Sequence, residues 1–153
     1  MTTRTIDGIN GLKAAVGEHL GYSPWLEITQ ERVNQFAEAT GDFQWIHVDV
    51  ERAKAESPFG GPIAHGYLTL SLLPSLMPKV VQTSGFSMGV NYGCNRVRFM
   101  SPVPVGANLR LGLKLLSVDD IAGGAQMVYE ATFEVEGSEK PSCVAEVVLR
   151  SYV

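Results

Sequence analysis

Asp42 and His47 are the residues of this chain whose types and spacing could carry proton chemistry. A carboxylate and an imidazole five positions apart can exchange protons near neutral pH, because histidine titrates there and aspartate is a ready acceptor. Gly41, just before Asp42, is a common helix stop, so both residues are expected on the loop beyond a helix. Loops held by rigid elements are where side chains converge on ligands. A plainer reading stands beside this one. Aspartate after a helix-ending glycine is ordinary turn chemistry, and a lone histidine is often only a packed residue.

The elements that must position the pair follow from periodicity. Ile9, Leu12, Ala15, Val16 and Leu20 recur at helical spacing, which predicts a lead-in helix from Ile9 to Leu20 ended by Gly21. Pro24 to Ile28 reads as extended. Thr29 is a plausible N-cap, with Val33, Phe36, Ala37 and Thr40 marking one face of the helix that precedes the pair. Asp49 is a second plausible N-cap, for a short helix through Ala55. After the loop Ser57–Gly61, Pro62 suits a first helical turn. The run Ile63–Leu73 is apolar nearly all round, which predicts a long buried central helix ended or kinked by Pro74 and Pro78.

From Phe86 onward the period becomes that of strands. Gly85–Met100, Ala107–Val118, Ala125–Glu136 and Ser142–Val153 are the candidates. Leu109, Leu111, Leu113 and Leu115 alternate strictly, as do Ala131, Phe133 and Val135. Turns are expected at Pro102–Gly106, at Asp119-Asp120 with Gly123-Gly124, and at Gly137-Ser138. Long antiparallel strands after a buried helix make a curved sheet wrapped around that helix, an α+β class.

The bulk properties narrow the partners. At 153 residues, 45% hydrophobic, the chain is one domain able to bury its own core, with residues 1–22 as lead-in. A net charge of -4 argues against nucleic acid, whose backbone attracts a basic surface. Cys94 and Cys143 have no redox or zinc spacing and read as free thiols. The apolar region near Leu68–Leu76 is broken by Ser71, Pro74 and Ser75 and falls short of the roughly 20 residues of a membrane span. A cytoplasmic chain with no membrane contact is expected. Asp42, His47, Asp49 and His65 offer no standard helix-face ligand spacing, so no metal is expected. His65, at the opening of the central helix, reads as a structural ring bonded to backbone.

Three blocks resemble one family. Thr40–His47 is similar to the G-D-x-N-P-x-H motif of the MaoC-like, (R)-specific enoyl-CoA hydratases. Phe59–Leu68 resembles that family's second block, and Arg96–Val103 with Gly106 resembles its third. The likeness runs from about Pro24 to Tyr152. It implies a hotdog fold and a homodimer with acyl-CoA lying across the subunit boundary. The implied reaction is reversible addition of water to a trans-2-enoyl-CoA, giving the (3R)-3-hydroxyacyl-CoA, with coenzyme A as part of the substrate and no separate cofactor.

Residue by residue, Asp42 and His47 match the family's catalytic pair, and Gly66 matches the backbone N–H that binds the thioester oxygen. A helix N-terminus is independently suited to an enolate's developing charge. Two positions depart from the pattern. Gln44-Trp45 replaces Asn-Pro, as in a branch that includes nodulation-protein-N-like sequences, and Trp45 either lines the acyl pocket or simply packs. Pro74 stands where some members have a serine supporting the aspartate. Arg96 and Arg98, with Lys79 and Arg110, are candidates for the CoA phosphates, and Asn91, Tyr92 and Asn95 for the pocket. Two rival functions share the fold: an acyl-CoA thioesterase, and a non-catalytic acyl-ligand binding protein.

Overall fold

The computed structural model describes residues 2–153. Its frame is a six-stranded antiparallel sheet. Four long strands, β5 (Met88–Phe99), β6 (Asn108–Ile121), β7 (Gly124–Val135) and β8 (Cys143–Tyr152), stand in the order β6-β7-β8-β5. Short strands β2 (His19–Tyr22) and β3 (Leu26–Glu27) both pair with β6 on its free side. A separate parallel pair joins β1 (Arg4–Asp7) to β4 (Val81–Ser84). The expected alternation holds: Leu109, Leu111, Leu113, Leu115, Ala131 and Phe133 are fully buried on the face that packs against the helices. Burying a large apolar side chain contributes roughly 1.5–3 kcal/mol, so this leucine row is the main fold-determining feature of the sheet.

The lead-in departs from expectation. The helix α1 spans only Gly8–Ala14, and the chain then turns at Gly17 (φ 89°) into β2. The edge of β6 decides this. Gly17 N–H donates to the Leu115 carbonyl at 2.7 Å, and Leu115 N–H donates to the Glu18 carbonyl at 3.1 Å. An unpaired edge backbone recruits these residues, which outweighs their helical spacing. Leu20 is still buried, as a strand residue.

The central helix is also not the long one expected. Pro62 to His65 is extended, because Ile63 N–H donates to the Ile46 carbonyl, Ala64 N–H to Val103 and Val105 N–H to Pro62. The helix starts at Gly66 and comes in pieces: α5 (Gly66–Ser71), α6 (Leu73–Leu76) and a 3-10 turn Met77–Lys79. Pro74 and Pro78 sit in the first turns of the later pieces, where a missing N–H is harmless. Leu68, Leu72, Leu73 and Leu76 are buried, whereas Tyr67 is 71% exposed. One flank of this helix is therefore uncovered in the single chain. The β6–β7 turn lies at Ala122-Gly123, at the glycine end of the expected break, since Asp119 and Asp120 still pair with Gln126 and Ala125.

Candidate active site

Helix α2 (Gln30–Thr40) is fixed at both ends. The Thr29 hydroxyl accepts from Arg32 N–H at 3.1 Å, and Gly41 closes it in the left-handed region at φ 80°, donating to the Ala37 carbonyl. Asp42 follows as expected, half-exposed, with Oδ1 accepting from Gln44 N–H at 3.2 Å. A single turn, α3 (Trp45–Val48), then swings His47 inward until it is buried. The Gln30 amide ties this turn to the start of α2 by donating to the His47 carbonyl at 2.8 Å. Asp49 caps α4 (Val50–Glu56) through Arg52 N–H.

The tautomer of His47 is set by its neighbour. Nδ1 lies 2.6 Å from the Ile63 carbonyl, which can only accept, so Nδ1 carries the hydrogen and the Nε2 lone pair is left for chemistry. Burial holds His47 below the usual imidazole pKa, and the nearby His65 adds to this. The Ile63 carbonyl and the Asp42 carboxylate push the other way. His47 is accordingly a neutral base at pH 7.

His65 lies beside it. The two rings stack with centroids 3.9 Å apart at 25°, and His65 Nε2 donates to the Asp42 backbone carbonyl at 3.0 Å. One carboxylate oxygen of Asp42 and one ring nitrogen of each histidine lie within 4.8 Å of one another. Three such ligands so close could be taken for a metal site. Stacked rings, however, project their in-plane lone pairs side by side, and each ring already has one nitrogen committed to a carbonyl. The span suits one water molecule held between carboxylate and imidazole.

His47 and Gly66 line one cavity of about 300 Å³, with Phe59, Thr69, Phe99, Met100 and Ser142 among its other walls. The wall is mostly apolar with a few convergent polar groups, the usual makeup of a ligand site. Gly66 opens α5, so its N–H has no partner within the helix. Its lack of a side chain has a local reason: a Cβ there would meet the Phe99 ring at 3.1 Å. Sequence reasoning missed Thr69, Phe99 and Ser142. Ser142 is brought in only by strand register, since Cys143 pairs with Phe99, and no local pattern marks that.

The other expected site residues lie elsewhere. Trp45 is half-buried with the Arg52 guanidinium 4.2 Å over its ring, outside the cavity wall. Asn91 lines a second cavity of about 540 Å³ between α5–α6 and the strands β5 and β8, together with Leu70, Pro74, Met77 and Leu149. Asn95, Arg96 and Arg98 are exposed on β5, with Asn95 the extra residue of a bulge between Cys94 and Arg96. Arg110 is committed to Glu134 at 2.9 Å and to the faces of Tyr22 and Trp25.

A sequence profile for the MaoC like domain matches residues 12–137. The chain belongs to the MaoC-like dehydratase family. It is 52% identical over 148 residues to a 3-hydroxyacyl-thioester dehydratase Z of Mycobacterium tuberculosis, covering 96% of this chain and 97% of that one. It is 47% identical over 136 residues to nodulation protein N of Rhizobium leguminosarum, covering 85% and 82%. Among solved structures, an unliganded R-hydratase from Pseudomonas aeruginosa superposes with a TM-score of 0.73 at 22% identity, over 95% of this chain and 85% of that one. The architecture is thus the hotdog fold, α+β, with a curved antiparallel sheet around a central helix. Among the described residues no helix is long and apolar enough to cross a membrane.

Proposed function

We infer that this chain is a hydro-lyase that reversibly adds water to a trans-2-enoyl thioester, giving the (3R)-3-hydroxyacyl thioester. The observation that carries the reading is His47, which keeps Nε2 free, has a ring nitrogen within 4.8 Å of the Asp42 carboxylate and lines the same cavity as Gly66. Close similarity to a named 3-hydroxyacyl-thioester dehydratase supports it.

In the hydration direction, a water held by Asp42 and His47 gives a proton to the pair as its oxygen bonds to C3. The C2=C3 electrons move toward the thioester carbonyl, and Gly66 N–H donates to the oxygen where charge develops. A proton then returns from the pair to C2, so one water is added and the pair is restored. Asp42 and His47 act as one coupled unit. The substrate is a coenzyme A thioester in this reading, no further cofactor takes part, and the site of action is the cytoplasm. Two copies pair through β5. That strand supports the pairing because it is an edge with Met88, Val90, Tyr92 and Phe99 all exposed.

The test offers (3R)- and (3S)-3-hydroxybutanoyl-CoA separately and follows the enoyl absorbance. Enoyl product from the (3R) substrate alone is expected. Product from the (3S) substrate alone, or from neither, would count against the assignment.

A further inference from the structure

His65 is 2% exposed, and the mechanism above does not use it. Its ring nevertheless touches both members of the proposed catalytic pair. Nε2 donates to the backbone carbonyl of Asp42 at 3.0 Å. One face stacks on His47 at 3.9 Å, and Phe36 of α2 packs against the ring at 4.9 Å. Its own backbone is the N-cap of α5, so the next N–H along the chain is that of Gly66. The remaining nitrogen, Nδ1, is buried with no hydrogen-bond partner.

We propose that His65 is a positioning residue for the hydration reaction: a wedged ring that sets Asp42, His47 and the Gly66 N–H at fixed separations. This rests on the hydratase reading above. The hydrogen on Nε2 leaves Nδ1 with a lone pair facing no donor. Nε2 alone ties the ring to a hydrogen-bond partner, so its place is otherwise set by packing against His47 and Phe36. The charged or titratable groups facing His47 are Asp42, from the loop after α2, and His65, from the turn before α5. Ile63, Phe59, Phe99, Met100, Thr69 and Ser142 around the cavity bring no charge near neutrality.

Three variants separate the contacts. His65→Phe keeps a ring to stack but loses the donor, His65→Gln keeps a donor but loses the stack, and His65→Ala loses both. The account predicts that kcat of His65→Ala falls about 100-fold, as expected for a displaced catalytic group, with KM within about threefold. His65→Gln recovers part of that loss. The acid limb of kcat/KM moves to higher pH in His65→Ala, because water entering the gap eases protonation of His47. A merely structural histidine would lower the unfolding midpoint without moving that limb.

Nitrogen-15 NMR of the histidine-labelled full chain reads the tautomer and titration of His47 without any turnover. Wild type should hold hydrogen on Nδ1 with a depressed titration, and His65→Ala should titrate higher. If His65→Ala does not fold, His65→Gln and His65→Phe carry the same comparison. Wild-type kcat and wild-type His47 titration in a folded variant overturn the proposal. Absence of turnover by wild type would defeat the hydratase reading instead, and leave the NMR result to decide the role of His65.

Discussion

Two parts of this molecule treat their polar groups in opposite ways. At the corner between α2 and α5, Asp42, His47 and His65 are each held by a backbone partner: Gln44 N–H, the Ile63 carbonyl and the Asp42 carbonyl. Along β5 the side chains have only surface partners, such as the Arg150 guanidinium 3.6 Å over the Tyr92 ring and the Val97 carbonyl that accepts from Arg98. Apolar residues stand exposed, two bulges at Tyr92 and Asn95 interrupt the register, and Arg96 and Arg98 face solvent. The three side chains of the corner are thus tied down within one chain, as the proposed proton transfer needs, since its geometry must be in place before substrate arrives. The edge lacks the buried backbone partners of the corner, and it is the surface on which the proposed pairing of two copies rests.

The sharpest way to break this contrast is at the corner. Asp42→Asn and His47→Ala should each lower kcat by about 10²–10⁴, the range for losing a general acid–base group. The double variant should be little worse than either alone, because a coupled pair is lost once. Additive losses in steady-state kinetics would mean that the two residues act separately.

Gly66→Ala comes next. Its Cβ would press on the Phe99 ring at 3.1 Å, and Phe99 is half-exposed, so the ring can swing aside into the cavity. A loss of about tenfold in kcat/KM is expected, roughly 1.4 kcal/mol, with little change in unfolding midpoint. Adding Phe99→Ala to Gly66→Ala should recover most of the loss. Failure to recover would place the difficulty in the backbone N–H rather than the ring.

A smaller effect concerns stability against pH. Folding lowers the pKa of His47, so just below its unfolded value near 6.5 the unfolded chain binds more protons than the native one. Stability should therefore fall as pH drops from about 6.5 toward the folded pKa, and then level off. In His47→Gln this part of the slope should vanish in denaturant titrations. Smallest of all should be Val90→Lys at the edge. It should leave the stability of the single chain within about 0.5 kcal/mol, yet shift sedimentation toward monomer. An unchanged sedimentation profile would remove β5 as the pairing surface.

Much of this was legible in the residues. Thr29, Gly41 and Asp49 mark helix ends because capping is local chemistry, and each does what its type predicts. The leucine row of β6 is legible because a period of two has one structural meaning. The failures share a cause, which is capture by a partner distant in sequence. Gly17 and Glu18 give up helix for the backbone of Leu115, and Pro62–Ala64 give it up for Ile46 and Val103. The same limit hid Ser142 and the stacking of His65 on His47, neither of which a local spacing encodes.

The central claim is that the chain adds water across a carbon–carbon double bond and leaves the thioester intact. It is tested most directly by incubating wild type with trans-2-butenoyl-CoA in oxygen-18 water and locating the label by mass spectrometry. The account predicts oxygen-18 at C3 of an intact hydroxyacyl-CoA, lost in His47→Ala. Label in a free carboxylate with release of thiol, or no label in any product, would contradict it.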